Sequence, residues 1–388
     1  MKVAIVHEWL ENYAGSERVL AQILACYPEA DVFAVVDYLP AEERKFLGGR
    51  PVSTSFIQRL PRARKHFRNY LQLMPLAVEQ FDLTKYDLVI SSNHAVAKGV
   101  LTGPKQVHVS YVHSPMRYAW DLQAQYLRES GLERGVKSLY VRWLLHKMRM
   151  WDASSAHGVD VFMANSSYIA KRIQKAYRRD AVVVAPPVAV QDFTIGEGAR
   201  EGFLVASRFV PYKRVELIVQ AFREMPECKL TVVGAGTNAR LIAKAAENAP
   251  NITLRPPVPD AELVSLMQGA RAMVFAAEED FGITMVEAQA CGTPVIAFGE
   301  GGARDIFNTS PMMPPTGILF EEQSVDSIIS AVRKFEALEG QYSADACRAN
   351  AMRFSEQFFR QRFMWVVSNA VAEHSQQRWP RVKRMAEN

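Results

Sequence analysis

Residues 270–298 read ARAMVFAAEEDFGITMVEAQACGTPVIAF. The apolar run ARAMVFAA predicts a strand, EEDFG the loop at its carboxyl end, ITMVEAQA a helix with Gly292 as its C-cap, and PVIAF the next strand. Glu279 then lies before the helix and Glu287 inside it. At 1.5 Å per helical residue their separation is on the order of 10 Å along the axis. A cooperating acid/base pair sits about 5 to 9.5 Å apart, with both groups facing one bond. The spacing better suits two contacts on one elongated ligand, such as a sugar at one end and a ribose at the other.

Working outward, strand-length apolar runs alternate with helix-period segments along nearly the whole chain, which predicts an α/β protein with parallel sheets covered by helices on both faces. The first series is VAIV (3–6), DVFAVVD (31–37), YDLVISS (86–92), VHVSYVH (107–113), VFMANS (161–166) and AVVVAPP (181–187). A second series begins near residue 202 with GFLVAS and continues through KLTVVGAG, NITL, ARAMVFAA, PVIAF and GILF. Residues 186–201, PPVAVQDFTIGEGARE, replace periodic apolar residues with prolines, glycines and charges and are read as the hinge. At 388 residues the chain has room for two such domains.

Ligands of open parallel sheets bind beyond the carboxyl ends of the strands, so the loops there are where chemistry is expected. After the first strand, Gly15 either brings backbone N–H groups close to an anion at the start of a helix or merely shapes a turn. After VHVSY comes VHSPMRYAWD, which packs His113, Arg117, Tyr118, Trp120 and Asp121 together. After GFLVAS comes SRFVPYKRVEL, where Arg208 and Lys213 suit a phosphate or diphosphate, or are ordinary exposed charges. GAG at 234–236 lacks the third glycine of a dinucleotide fingerprint, Ala239 standing in its place, and reads as a tight turn.

Composition, with 49% hydrophobic and 22% charged residues, is that of a soluble globular protein. The four cysteines are scattered, signalling neither a disulfide framework nor a zinc site, and fit a reducing cytoplasm. The N-terminal apolar run is too short and too polar for a signal peptide, and no stretch reaches the roughly 20 apolar residues of a membrane span. Net charge is +5, unevenly distributed. Between Arg44 and Val78 there are eight Lys/Arg, among them Arg59, Arg62, Arg64, Lys65 and Arg68, and no acid, with aromatic and aliphatic residues interleaved. That segment suits an anionic membrane surface or a lipid-linked acceptor, or is a solvated face; no nucleic-acid motif accompanies it. The tail RWPRVKRMAEN (378–388) repeats the basic-aromatic theme.

The order of YVHSPMRYAWD, ANSSYIAKRI, SRFVPYKR, EEDFGITMVEAQACGTPVIA and GEGGARDI resembles the retaining glycosyltransferases of family 4, and within them most closely the bacterial mannosyltransferases of O-antigen and other surface polysaccharides. The resemblance covers essentially the whole chain. It implies the GT-B fold, two Rossmann-like domains facing each other across a deep cleft: 1–195 for the acceptor, with a C-terminal helix (355–388) crossing back, and 196–354 for the nucleotide-sugar donor. Arg208 and Lys213 would neutralise the donor diphosphate. Glu287 would hold the ribose and Glu279 the transferred sugar. Backbone around Phe281, Gly282, Ile283 and Thr284 would line sugar and phosphates, Val258 would lie against the base, His113 would touch the sugar, and Gly15 would approach the phosphates. Arg117 and the 59–68 cations would serve acceptor or membrane. Two positions depart from the family: Ala14 precedes Gly15 where a second glycine is frequent, and Asp305 replaces a common Glu.

The leading expectation is therefore transfer of mannose or rhamnose from a GDP-sugar to a lipid-linked saccharide, as in lipopolysaccharide synthesis, at the inner face of the cytoplasmic membrane. No D-x-D motif is present, so no metal or other cofactor is implied. A UDP-sugar donor and a non-catalytic sugar-nucleotide-binding scaffold subunit are the alternatives. A nicotinamide oxidoreductase is disfavoured by the missing fingerprint.

Overall fold

The computed structural model describes residues 1–307 and 313–376. The tail 378–388 lies outside them. Two compact units divide the chain, one comprising Met1–Val184 with the helical residues from Arg360, the other Ala185–Phe359.

In the first unit, β1 (Val3–Leu10), β2 (Asp31–Asp37), β3 (Val52–Thr54), β4 (Leu88–Asn93), β5 (Val107–Val112), β6 (Val161–Ala164) and β7 (Ala181–Val183) form one sheet in the order β3-β2-β1-β4-β5-β6-β7. Every pairing is parallel. All residues of β4 and β5 are buried, as expected for strands covered on both faces. The apolar residues of the second unit make β8 (Phe203–Ala206), β9 (Leu230–Val233), β10 (Ile252–Arg255), β11 (Ala272–Phe275), β12 (Val295–Phe298) and β13 (Gly317–Phe320), in the order β10-β9-β8-β11-β12-β13. These too are parallel throughout. Strand order reverses beside β1 in one sheet and beside β8 in the other, which creates a crevice at the carboxyl ends of β1 and β4, and of β8 and β11.

Each strand read from the sequence forms. β3 was not read, because Val52-Ser53-Thr54 is three residues set among cations and a proline, too short for a periodic signal. The units change between Val184 and Ala185, ahead of the boundary read at 195/196. Val188 and Val190 are buried in the second unit's core, and the Val188 N–H donates to the Phe354 carbonyl at 2.9 Å, so the proline-rich stretch is built into that unit. The closing helix Glu356–Gln376 belongs to the second unit through Phe359. From Arg360, whose guanidinium meets Gln22, it belongs to the first.

The basic segment differs from its sequence reading. Leu47, Ile57, Phe67 and Met74 are buried, and Phe56, Leu60, Tyr70 and Leu71 pack against the same core. Most of the apolar residues interleaved with the cations thus turn inward, Leu76 staying exposed. Arg68 pairs with Glu11 at 2.5 Å and lies over the Phe67 ring at 4.6 Å, so its charge is partly met within the protein. Arg59, Arg62, Arg64 and Lys65 remain exposed, and Arg117 is half-buried.

Candidate functional site

In the second unit the loops after β8 and β11 carry the expected cations and carboxylates. Beyond β8 the chain runs through Arg208 to the turn Pro211–Lys213, and Arg214, at φ +52, redirects it into the helix Val215–Arg223. Lys213 meets Glu279 in an ion pair whose side chains are about 15% exposed. The ammonium also lies 5.4 Å from the Tyr212 and Phe275 ring centroids. The sequence reading gave these two residues separate ligand contacts; in the structure each is the other's partner.

Glu279 is held through its backbone. Its carbonyl accepts from Gly302 N–H at 2.8 Å, and it bridges Gly301 in parallel. Gly301 has φ +75, and a Cβ there would stand 2.2 Å from the Glu279 oxygen. The glycines of GEGG therefore let one turn press against the EEDFG loop. Gly282, at φ +103, starts the helix Ile283–Ala290 and accepts from the Met285 N–H at 3.0 Å; the amides ahead of Met285 lie where a helix offers no acceptor of its own. Phe281 is 3% exposed, its ring edge-on against Phe354 and its backbone against Gly302, so it supports the loop and is not open to a ligand as the sequence reading expected.

A pocket of about 300 Å³ opens beside this helix, lined by Ser207, Arg208, Gly234, Val258, Thr284 and Glu287. Arg208 donates to the Tyr212 hydroxyl at 3.1 Å. Gly234 and Gly236 sit at φ near +155, where Cβ atoms would stand 1.9 Å from the Ser207 oxygen and 2.4 Å from the Phe209 oxygen. The GAG turn thus brings the β8 and β9 loops into contact. The pocket offers a guanidinium, a carboxylate, a hydroxyl and an apolar wall at Val258, donors and acceptors of the kinds that a nucleoside diphosphate presents partners for.

In the first unit, the carboxyl edge of β1, β4 and β5 holds a chain of polar groups of which the sequence reading named His113 but not Glu17, His7 or Ser92. Glu17 bonds His7 Nε2 at 3.3 Å, His7 Nδ1 meets the Ser92 hydroxyl at 3.0 Å, and that hydroxyl meets His113 Nε2 at 2.9 Å. Burial, reinforced by His94 and His7, draws the His113 pKa down to about 3, so the ring is neutral. Burial pushes Glu17 up, but bonds from His7, from its own helix turn and from Ser16 outweigh it and hold the carboxyl at about 2. Glu17 also accepts from the Ala14 N–H at 3.1 Å, so the start of the helix Gly15–Cys26, where an anion was expected, already faces a carboxylate.

Glu8, fully buried, accepts from the N–H groups of His94, Ala95, Val96 and Ala97 between 2.7 and 3.0 Å and shapes the loop after β4. Asn93 Nδ2 and His94 Nδ1 are buried there without a hydrogen-bond partner among the described residues. Each costs about 1–3 kcal/mol, which a bound polar group would relieve. The signal for this edge was His7-Glu8 and Ser91-Ser92-Asn93, polar residues ending otherwise apolar strands.

Comparison with known proteins agrees with both halves. Residues 13–191 match the family model described as Glycosyltransferase Family 4, and residues 195–354 the model described as Glycosyl transferases group 1. Each half of the chain thus matches a glycosyltransferase domain model. The GDP-mannose-dependent alpha-(1-6)-phosphatidylinositol monomannoside mannosyltransferase of Mycolicibacterium smegmatis is 30% identical over 174 residues, which cover 40% of this chain and 42% of that one. The match thus spans less than half the length of that relative. Among solved structures, Alr3699/HepE of Anabaena in complex with UDP has a TM-score of 0.67 at 17% identity, covering 95% of this chain and 100% of that one. Sucrose-phosphate synthase of Thermosynechococcus elongatus has a TM-score of 0.69 at 15% identity, covering 96% and 100%. At these identities the two structures speak for the fold, the GT-B architecture of two Rossmann-like halves. No helix among the described residues is long and apolar enough to cross a membrane.

Proposed function

We propose that the protein transfers a hexose, with retention of configuration, from a nucleotide-sugar to a lipid-linked saccharide in bacterial surface polysaccharide synthesis. The favoured donor is a GDP-sugar, with mannose or rhamnose as the sugar. The observation that carries the reading is the single pocket lined by Arg208, Val258, Thr284 and Glu287, with the Lys213–Glu279 pair rising from the neighbouring loops of the same sheet edge. The mannosyltransferase relative supports the GDP-mannose donor and a lipid acceptor.

In this reading Val258 packs against the base and Glu287 accepts hydrogen bonds from ribose hydroxyls. Arg208 and Lys213 offset the charge that grows on the departing diphosphate, so no bridging divalent ion is required. Glu279, released from Lys213 as that cation turns to phosphate, holds hydroxyls of the transferred sugar. Amides at the start of the helix Ile283–Ala290 face the phosphates. No side chain in these loops is placed here as a nucleophile; front-face attack, with the leaving phosphate taking the acceptor's proton, accounts for retention. The protein works at the inner membrane face, where exposed Arg59, Arg62, Arg64 and Lys65 meet acceptor phosphate or lipid.

Thermal-shift titration with GDP-mannose, UDP-glucose and ADP-glucose tests the donor. The largest stabilisation is expected with the GDP compound. Preference for UDP-glucose overturns the donor assignment, and stabilisation by a nucleotide-sugar with no transfer supports the scaffold alternative.

A further inference from the structure

The helix Val136–Ser155 has two apolar faces. Leu145 and Met148 are buried on the inner one, beside buried Asp152. The outer one carries Val136, Leu139, Tyr140, Trp143 and Met150, between 46% and 83% exposed. Steps of three, one, three and seven residues put all five on a single stripe of a 3.6-residue helix, on the side away from the buried set. Single exposed apolar residues are ordinary, but five in register with an aromatic pair at their centre form a patch. Tyr140 and Trp143 stack with centroids 6.2 Å apart.

The stripe is flanked only by positive charge. From Arg134 to Trp151 there are five Lys/Arg and no Asp or Glu. Lys147 lies on the stripe itself, 6.0 Å from the Trp143 ring centroid, with exposed Lys137 and Arg142 to either side. Arg149 instead holds the Ala119 carbonyl at 2.7 Å. The Tyr140 hydroxyl donates to Gln72 Oε1 at 2.9 Å, which ties the stripe to the segment bearing Arg59, Arg62, Arg64 and Lys65.

We propose that this stripe docks the protein on an anionic bilayer, with Leu139, Tyr140 and Trp143 entering the headgroup region and Lys137, Arg142 and Lys147 meeting lipid phosphates. The chemistry is that of an interfacial amphipathic helix, apolar area for insertion and cations for the surface potential. Trp and Tyr favour that depth because their rings are amphipathic. A second copy of the chain fits less well, because pairing the stripes would set Arg142 and Lys147 against the same cations with no carboxylate between them. The proposal deepens the membrane-face reading above and rests on it only for the expectation of a lipid surface.

The test is co-sedimentation of the full chain with vesicles of phosphatidylcholine alone or mixed equally with phosphatidylglycerol. Binding to the anionic vesicles is expected. Leu139→Ser with Trp143→Ser should weaken it at least about tenfold, since both side chains lose apolar burial. Arg142→Glu with Lys147→Glu should weaken it too, while both variants keep the wild-type melting temperature and its shift with GDP-mannose. Unchanged vesicle binding in the Leu139/Trp143 variant overturns the proposal, as does a concentration-dependent dimer in sedimentation equilibrium that this variant dissolves. Absence of vesicle binding also overturns it, whereas failure of the transferase reading would show separately as absent donor stabilisation and transfer.

Discussion

Lys213 and Glu279, sixty-six positions apart in the chain, neutralise each other at the carboxyl edge of the second sheet, largely shielded from water and flanked by Tyr212 and Phe275. A diphosphate would compete for the ammonium and leave the carboxylate to sugar hydroxyls. Glu279→Ala is expected to lower transfer by on the order of a hundredfold or more and to cost about 3 kcal/mol of stability, because the mostly buried Lys213 ammonium loses its partner. Turnover on GDP-mannose and a denaturant melt measure the two; normal turnover removes Glu279 from the site.

Glu287 lines the pocket with Val258 and Thr284. Loss of two charged hydrogen bonds to a ribose costs about 3 kcal/mol or more. Glu287→Ala should therefore weaken GDP binding at least about a hundredfold by calorimetry. Equal affinity for the variant would place the ribose elsewhere.

Gly301 supports the site through the Glu279 backbone. Alanine there keeps φ +75 only under strain and meets the Glu279 carbonyl 2.2 Å away. Gly301→Ala is expected to displace the EEDFG loop, so that turnover falls more than stability does. A crystal structure or exchange protection at residues 279–282 would register the shift, and unperturbed kinetics would show that the loop needs no such support.

Acid should destabilise the first unit. His108, fully buried, is drawn down to about 4 by burial despite the Gly158 carbonyl and Asp160, and His113 to about 3. The unfolded chain takes up these protons near the usual histidine value of about 6.5, but the folded one does not, so stability falls as pH drops from about 6.5 toward 4. For His108 the loss is on the order of 3 kcal/mol. Glu17, depressed to about 2, adds a second loss as pH falls from about 4.5 toward 2. Melts of wild type and His108→Gln between pH 7 and 4 check the first window; parallel pH dependence in the two proteins would remove His108 as its source.

Much of the fold was legible because parallel strands buried on both faces are written as unbroken apolar runs, and β2, β12 and β13 match theirs closely. The second unit's site was legible for a related reason. Arg208, Lys213, Glu279 and Glu287 lie in short loops and one helix directly after predicted strands, so local order places them at one sheet edge. Gly292, expected to end the helix after EEDFG, does adopt φ +74 just past it.

What the sequence alone determined, then, was the α/β architecture, the division into two sheets and the chemistry of the loops at the second sheet's edge, since each follows from periodicity and from residues near in the chain. Tertiary structure decided the rest. Only packing shows that most apolar residues of the basic segment point inward while those of the helix Val136–Ser155 point out, because the helical period of that helix fits an apolar stripe on either side. Only the sheet order, with β4 placed beside β1, joins Glu17, His7, Ser92 and His113 into one hydrogen-bonded chain. Such contacts span up to eighty-five positions and leave no local pattern to read.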